Sequence, residues 1–355
     1  MSQLTSSVSC LCGKVSQNVE IDPTVKHSAL QLCHCNSCRF ASGLLYFSYL
    51  ILQSKPHLDS NLKEYKQSDN ISRWFCATCG AHAFAYNKRD NKYLVAAGLL
   101  TTTEAGETES ITHYGVKDTL DGGLSIVLPG SITEDNSCWL DAGTTEGQAV
   151  TAQQTPGSLN NDILPQADLL EGQCHCGGIK FSVTRPKLSS SSVSSPWPDL
   201  LVPYYSSSSE NSQDIKWWLR ADETKYLAGF CACESCRLAS GVDIQTWAFI
   251  PKTNIFQVDG SQLTYGTGSM QQFESSPNVW REFCNGCGAT IFWHCQDRPG
   301  VVDVSVGLLR AKTGARAEDW LEWATGRVSF AEEAKNEKLI AMLERSLQHS
   351  SSRNG

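Results

Sequence analysis

The chain has 355 residues, 41% of them hydrophobic, and a formal net charge of -8, which suits about two domains of roughly 150 residues with ordinary cores. Its acidic balance and lack of any basic run longer than two residues argue against a nucleic-acid groove, which needs clustered Lys and Arg. No apolar stretch approaches the ~18 residues that span a membrane, and the opening MSQLTSSVS lacks the basic start and apolar run of a secretory signal, so the expectation is an intracellular, cytoplasmic protein, with the nucleus left open.

Cys10-Leu11-Cys12-Gly13 is the first feature, and a strand is expected to follow through Val15 and Val19 until Pro23 breaks it. Residues 29–32 lead into Cys33-His34-Cys35-Asn36-Ser37-Cys38-Arg39-Phe40-Ala41-Ser42-Gly43. Residues 44–51, rich in aromatic and branched side chains, read as a buried strand. Residues 62–65 read as a short strand or turn. Arg73-Trp74-Phe75-Cys76-Ala77-Thr78-Cys79-Gly80 has zinc-knuckle spacing. A hairpin is expected from residues 83–86 and 93–97, and Gly98-Leu99-Leu100 closes the unit. Residues 141–167 are small, polar and turn-rich, the composition of a linker.

The same order then repeats. Cys174-His175-Cys176-Gly177 opens a second unit, and Ile179, Phe181 and Val183 alternate with polar residues as in a strand. Residues 186–214 hold eleven serines and read as a mobile low-complexity insertion. Cys231-Ala232-Cys233-Glu234-Ser235-Cys236-Arg237-Leu238-Ala239-Ser240-Gly241 follows, then a strand over residues 244–250. Leu263-Thr264-Tyr265 is read as the counterpart of residues 62–65. Arg281-Glu282-Phe283-Cys284-Asn285-Gly286-Cys287-Gly288 answers the first knuckle, and Gly307-Leu308-Leu309 the first closing motif. Residues 330–348 read as a helix with Leu339, Ile340, Leu343 and Leu347 near one face. Residues 350–355 are expected to be disordered. The boundaries drawn are 6–140 and 168–330 for the two units, with the helix and tail from 331 to 355.

Fourteen of the sixteen cysteines lie in this repeat, seven per unit. Chance cysteines would not recur twice in the order C-x-C, C-x-C-x-x-C, C-x-x-C. With thiols kept reduced, such close pairs point to metal. Zinc leads, with iron–sulfur clusters and disulfides or bare thiols as alternatives. Side chains two apart on a strand share a face, so a C-x-C pair presents two sulfurs together and the next turn can return the third. Seven ligands suit one four-ligand and one three-ligand site. By reach, Cys10, Cys12, Cys76 and Cys79 form one quartet, and Cys174, Cys176, Cys284 and Cys287 the other. These would close long loops and take part in folding. The triplets Cys33, Cys35, Cys38 and Cys231, Cys233, Cys236 keep one tetrahedral position open, as a catalytic zinc does.

The pattern C-x-C-G, C-x-C-x-x-C-R-x-x-S-G and R-x-F-C-x-x-C-G resembles the glutathione-dependent formaldehyde-activating enzyme family, which also includes centromere protein V. It covers most of both units. Residues 121–125 and 323–330 also resemble segments of fungal tandem members. The resemblance implies a mainly β fold of two tandem zinc-stapled β-tent domains with a C-terminal helix. It implies two zinc ions per domain, the quartet structural and the triplet reactive. It further implies a carbon–sulfur lyase-type activity in which glutathione or a similar thiol adds reversibly to an aldehyde. Formaldehyde is the namesake substrate, and an electrophile of fungal specialised metabolism is equally open.

Blander readings stand beside these. The triplets could be second structural zincs, although no histidine recurs to complete them: His34 faces Ala232 and His82 faces Thr290. Arg39 and Arg237 could hold a glutathione carboxylate and lower thiolate pKa, or be solvated arginines over the sheet. Arg73 and Arg281 read as solvated, and His34 as a surface histidine rather than a proton relay. Cys138 and Cys295 read as small buried hydrophobes, and Trp217, Trp218, Trp247 and Trp293 as core or domain contact. The competing function is a zinc scaffold that binds a protein partner through the sheets and the C-terminal helix. Chromatin binding is weakened by the acidic charge.

Overall fold

A computed structural model describes residues 5–22, 29–101, 108, 110–133, 140, 169–204 and 209–351. The linker at 141–167, Cys138 and residues 352–355 of the tail lie outside the described residues. The described residues are mainly β, with three α-helices: α1 (Asn36–Ser42), α2 (Glu234–Ser240) and α3 (Glu337–Ser351).

Two large sheets repeat one plan. In the first, the strand order is Ser131–Ile132, Ser110–Tyr114, Ala29–Cys33, Phe47–Ile51, Lys92–Ala96, His82–Asn87, Ile71–Cys76 and Leu62–Lys66. In the second it is Leu219–Arg220, Lys225–Cys231, Gln245–Pro251, Val301–Ser305, Thr290–Cys295, Val279–Cys284 and Met270–Ser276, with Leu321–Trp323 beside Lys225–Cys231. The strand pattern is visible in the residues. Along Ile71–Cys76, Ile71, Arg73 and Phe75 are buried while Ser72 and Trp74 are half-buried, the alternation of a strand with one covered face. The hairpin after Asn87 turns on short polar side chains: Asn91 takes φ 51°, and the Arg89 amide donates to Asn87 Oδ1 at 3.0 Å.

Two expectations need correction. The counterpart of Leu62–Lys66 is Met270–Ser276, not residues 263–265. Leu62 pairs with Cys76 and Tyr65 with Arg73, as Met270 pairs with Cys284 and Phe273 with Arg281. Tyr265 instead stacks on His294 with ring centroids 3.7 Å apart. The serine-rich insertion is also packed over its described residues. Trp217 and Trp218 are buried, and their indole N–H groups need acceptors. Trp217 donates to the Pro196 carbonyl at 2.9 Å and Trp218 to the Ser190 carbonyl at 3.0 Å, while Ser190 Oγ donates to Asn254 Oδ1 at 2.8 Å. A chain rich in serine and proline has backbone carbonyls to spare, and the tryptophans use them.

The two halves meet reciprocally. The Gly98 amide donates to the Gly241 carbonyl at 2.9 Å, and the Gly307 amide to the Gly43 carbonyl at 3.1 Å. Each Gly-Leu-Leu motif therefore packs against the end of the other half's triplet helix. A Cβ on Gly98 would lie 2.5 Å from the Val242 amide, and one on Gly307 2.2 Å from the Leu44 carbonyl oxygen, so backbone approach this close requires glycine. The arrangement is that of a two-fold interface folded into one chain.

Helix α3 starts at Glu337, later than expected. Residues 331–333 form a separate 3-10 turn, and Asn336 Oδ1 accepts from the Leu339 amide at 3.2 Å, the bond of a helix-starting cap. Leu339, Ile340, Leu343 and Leu347 are all buried, so the chain itself covers this apolar face. Among the described residues no helix is long and apolar enough to cross a membrane.

Candidate metal centres

Each quartet joins a turn near the start of its half to the late knuckle. In the first, Gly13 at φ 72° returns the chain so that the Cys10 amide meets the Val15 carbonyl at 3.0 Å. Gly177 at φ 74° does the same for Cys174 and Ile179. The Sγ atoms of Cys10 and Cys12, and of Cys12 and Cys76, are 3.5 Å apart. Those of Cys174 and Cys176, and of Cys176 and Cys284, are also 3.5 Å apart. In both quartets all four sulfurs lie within 4.8 Å of one another. A tetrahedral zinc at 2.3 Å from sulfur sets sulfurs about 3.8 Å apart, whereas a disulfide needs about 2.05 Å. Among the described residues the cysteines form no disulfide, which sets that alternative aside for them.

Backbone amides point at these sulfurs: Val15 to Cys10 at 3.4 Å, Ile179 to Cys174 at 3.3 Å and Gly286 to Cys284 at 3.3 Å. Hydrogen bonds from Cys10 and Cys79 hold the Cys76 thiol far down, to about 2. In turn, the bond to Cys76 pushes Cys10 up to about 12, and the bonds among the sulfurs push Cys79 up. Four crowded sulfurs cannot all ionise alone. A divalent cation among them removes that conflict, so the donor set fits zinc.

The triplets are local. Cys33 ends its strand, Cys35 caps α1 by accepting from the Cys38 amide at 3.4 Å, and Cys38 sits in the first turn. Cys231, Cys233 and Cys236 repeat this, with the cap bond from the Cys236 amide at 3.2 Å. In each triplet the three sulfurs lie within 4.8 Å of one another, and among the described residues no fourth Cys, His, Asp or Glu donor joins them. All six cysteines are buried.

Arginines meet these sulfurs, but not those that follow the triplets. Arg39 is buried and donates to Asn36 Oδ1 at 2.9 Å, back along its own helix. Arg237 is also buried. It donates to the Gly98 carbonyl of the other half and lies 3.4 Å from Glu234. Arg73 and Arg281 reach across the sheet instead. Arg73 Nη2 donates to Cys38 Sγ at 3.1 Å, Nη1 to Tyr49 Oη at 3.0 Å and Nε to Gln67 Oε1 at 2.5 Å. Arg281 Nη2 donates to Ser235 Oγ at 2.9 Å and Cys236 Sγ at 3.5 Å. Both are buried, 0% and 4% exposed, which overturns the solvated reading. The signal was present: R-x-F-C recurs in both units, and an arginine three residues before a metal-site cysteine lies on its strand's buried face. His34 is likewise buried, not on the surface, and its Nε2 lies 2.8 Å from His113 Nδ1. Burial, with His113 and Arg39 adding repulsion, lowers its pKa to about 3. Cys295 is half-buried, and Trp217, Trp218 and Trp247 lie in the core, with Trp293 packed against it.

A family profile for the glutathione-dependent formaldehyde-activating enzyme matches residues 5–115 and 215–323, more than half of the chain. The chain belongs to this family. No curated protein and no solved structure gives a significant match. The second match begins at 215, beyond Cys174, Cys176 and the serine-rich insertion. The structure nevertheless gathers both with Cys284 and Cys287.

Proposed function

We propose that the protein catalyses reversible addition of glutathione or a similar thiol to an aldehyde or related electrophile, as a zinc-dependent carbon–sulfur lyase-type enzyme. One observation carries this reading: each triplet gathers three buried sulfurs at a strand end and helix start, with an arginine donating to the third sulfur. Zinc held there would stabilise a thiolate and polarise a carbonyl, with one position left for a ligand. The quartets, closed by four sulfurs, would hold the structural ions, giving four per chain across the two proposed units, 6–140 and 168–330. The roles of the chain's own groups follow. Three thiolates around a divalent ion leave a net charge of about -1, and Arg73 or Arg281 offsets it where an anionic thiol must approach. Arg39 and Arg237, oriented along and behind their helices, act on substrate carboxylates only at longer range.

Metal analysis of the purified protein, followed by an adduct assay with glutathione and formaldehyde, tests the proposal. About four zinc ions and adduct formation above the uncatalysed rate are expected. Two zinc ions, with thiols of the triplets open to alkylation, would sink the catalytic-zinc reading and leave the scaffold reading.

A further inference from the structure

Each quartet leans on the triplet of the opposite half. The middle residue of each C-x-C pair sends its amide across the interface. His175, between Cys174 and Cys176, donates to the Phe40 carbonyl at 2.9 Å, and Leu11, between Cys10 and Cys12, donates to the Leu238 carbonyl at 3.1 Å. Phe40 and Leu238 stand two residues past the third sulfur of their triplets, in α1 and α2. The late knuckles are also held from the opposite half. Lys63 Nζ donates to the Asn285 carbonyl at 2.5 Å and to its Oδ1 at 3.0 Å, and Gln271 Nε2 donates to the Ala77 carbonyl at 3.2 Å. Lys63 and Gln271 occupy the same place in their sheets, paired with Phe75 and Phe283, while Ala77 and Asn285 each follow the first knuckle cysteine. Contacts that recur in both directions belong to the shared plan of the halves.

One direction carries extra ties. The Arg310 guanidinium lies 3.1 Å from the centroid of the Phe40 ring, and its Nη2 donates to the Gln173 carbonyl at 3.2 Å, next to Cys174. Arg310 therefore joins α1 of the first half to the quartet turn of the second. Tyr65 Oη and His175 Nδ1, 2.5 Å apart, add a side-chain bond to the same turn. In the other direction Thr101 stands in the place of Arg310, after the first Gly-Leu-Leu motif. The two amides are held alike, Arg310 on the Glu171 carbonyl at 2.8 Å and Thr101 on that of Ser7 at 2.7 Å. The threonine side chain is short, and its hydroxyl donates to the same Ser7 carbonyl at 3.0 Å.

We propose that the metal sites are coupled in crossed pairs, the second quartet with Cys33, Cys35 and Cys38 and the first quartet with Cys231, Cys233 and Cys236, and that Arg310 is a positioning residue for the first triplet. The inference rests on metal filling both kinds of site, as in the reading above, and not on the thiol–aldehyde chemistry. Gathering Cys174 and Cys176 with Cys284 and Cys287 fixes the turn that carries the His175 amide. That amide anchors α1, which has Cys35 as its cap and Cys38 in its first turn. Anchoring the helix two residues beyond Cys38 holds the third sulfur in place. Coupling between binding sites is reciprocal, so a filled first triplet tightens the second quartet by the same factor. Neither triplet is then independent of the opposite half.

The test uses the full zinc-loaded chain. A chelator is raised stepwise, freed thiols are alkylated, and mass spectrometry locates them, which gives a protection midpoint for each set of cysteines. Cys176→Ser should lower the midpoint of Cys33, Cys35 and Cys38 at least about fivefold and leave that of Cys231, Cys233 and Cys236 in place. Cys12→Ser should do the reverse. Arg310→Met keeps all fourteen metal-site sulfurs, which covers a failure of either serine variant to fold. It should lower the midpoints of the first triplet and the second quartet by one common factor, about threefold, and move neither of the other two sets. A role in fold stability alone would lower all four together. Loss confined to the half that carries the serine, or shared equally by the two triplets or by all four sets, would overturn the coupling. Unchanged midpoints in Arg310→Met would remove the arginine from it. A wild type that protects only the quartets would instead sink the filled-triplet reading, and this coupling with it.

Discussion

Each quartet ties together residues far apart in the chain, 64 positions between Cys12 and Cys76 and 108 between Cys176 and Cys284. Each triplet is complete within six residues, at a strand end and a helix cap. The quartets also have similar settings in the two halves, with the same turn glycine and amide-to-sulfur bonds, whereas the triplet settings diverge. The difference teaches where metal and fold are coupled. A quartet ion would close a long loop and so stabilise the fold directly. A triplet ion would sit on local structure that hydrogen bonds already hold, leaving its surroundings free to vary with function.

The largest expected effect breaks a quartet. Cys284→Ser should lose one metal ion and at least about 4 kcal/mol of stability, a drop of roughly 10 °C or more in Tm. Cys233→Ser should cost less than about 1.5 kcal/mol, because serine can take over the cap on the Cys236 amide. Equal melting temperatures for the two variants would erase the distinction between the sites.

Next comes the arginine on the sulfur. Arg73→Met should reduce adduct formation at least about tenfold, since it leaves the three-thiolate site without its counter-charge. Arg281→Met makes the same change at the second triplet. If both variants lose activity to the same extent once corrected for folded fraction, the two triplets work alike.

Acid should separate the halves by a smaller margin. Burial is the main reason that His82 is held down to about 3 and His113 to about 4, from an ordinary 6.5. A histidine whose folded pKa is depressed gives its full stability above the unfolded value. As pH falls below about 6.5, the unfolded chain takes up a proton that the folded one refuses. Each such histidine should therefore cost roughly 1.4 kcal/mol per pH unit between about 6.5 and its folded value. The second half carries Thr290 in place of His82. His82→Thr should flatten the fall in urea midpoint between pH 6.5 and 5, and an unaltered slope would show that this histidine is not the cause.

The smallest effect is expected at the arginines beside the triplets. The Arg39→Ala, Arg237→Ala double variant should change glutathione affinity by less than about threefold, because Arg39 is tied to Asn36 and Arg237 to the other half. Titration calorimetry decides this. A loss of tenfold or more (about 1.4 kcal/mol) would return these two arginines to the substrate.

By itself, the sequence determined the cysteine chemistry. Spacings of two and three residues limit which sulfurs can share an ion, and a whole pattern that recurs in order leaves little freedom in dividing seven ligands into four and three. Strand alternation and the helical stripe at Leu339, Ile340, Leu343 and Leu347 were legible for the same reason, since period and spacing are local properties. Tertiary structure alone decided which arginine meets the sulfur. Arg39 is one residue from Cys38 yet points back along the helix, whereas Arg73 is 35 positions away and lies 3.1 Å from it. The contacts between Tyr65 and His175, and between each Gly-Leu-Leu motif and the opposite helix, depend on two distant segments reaching the same place. No local pattern encodes such a meeting, because it is set by how one half packs on the other.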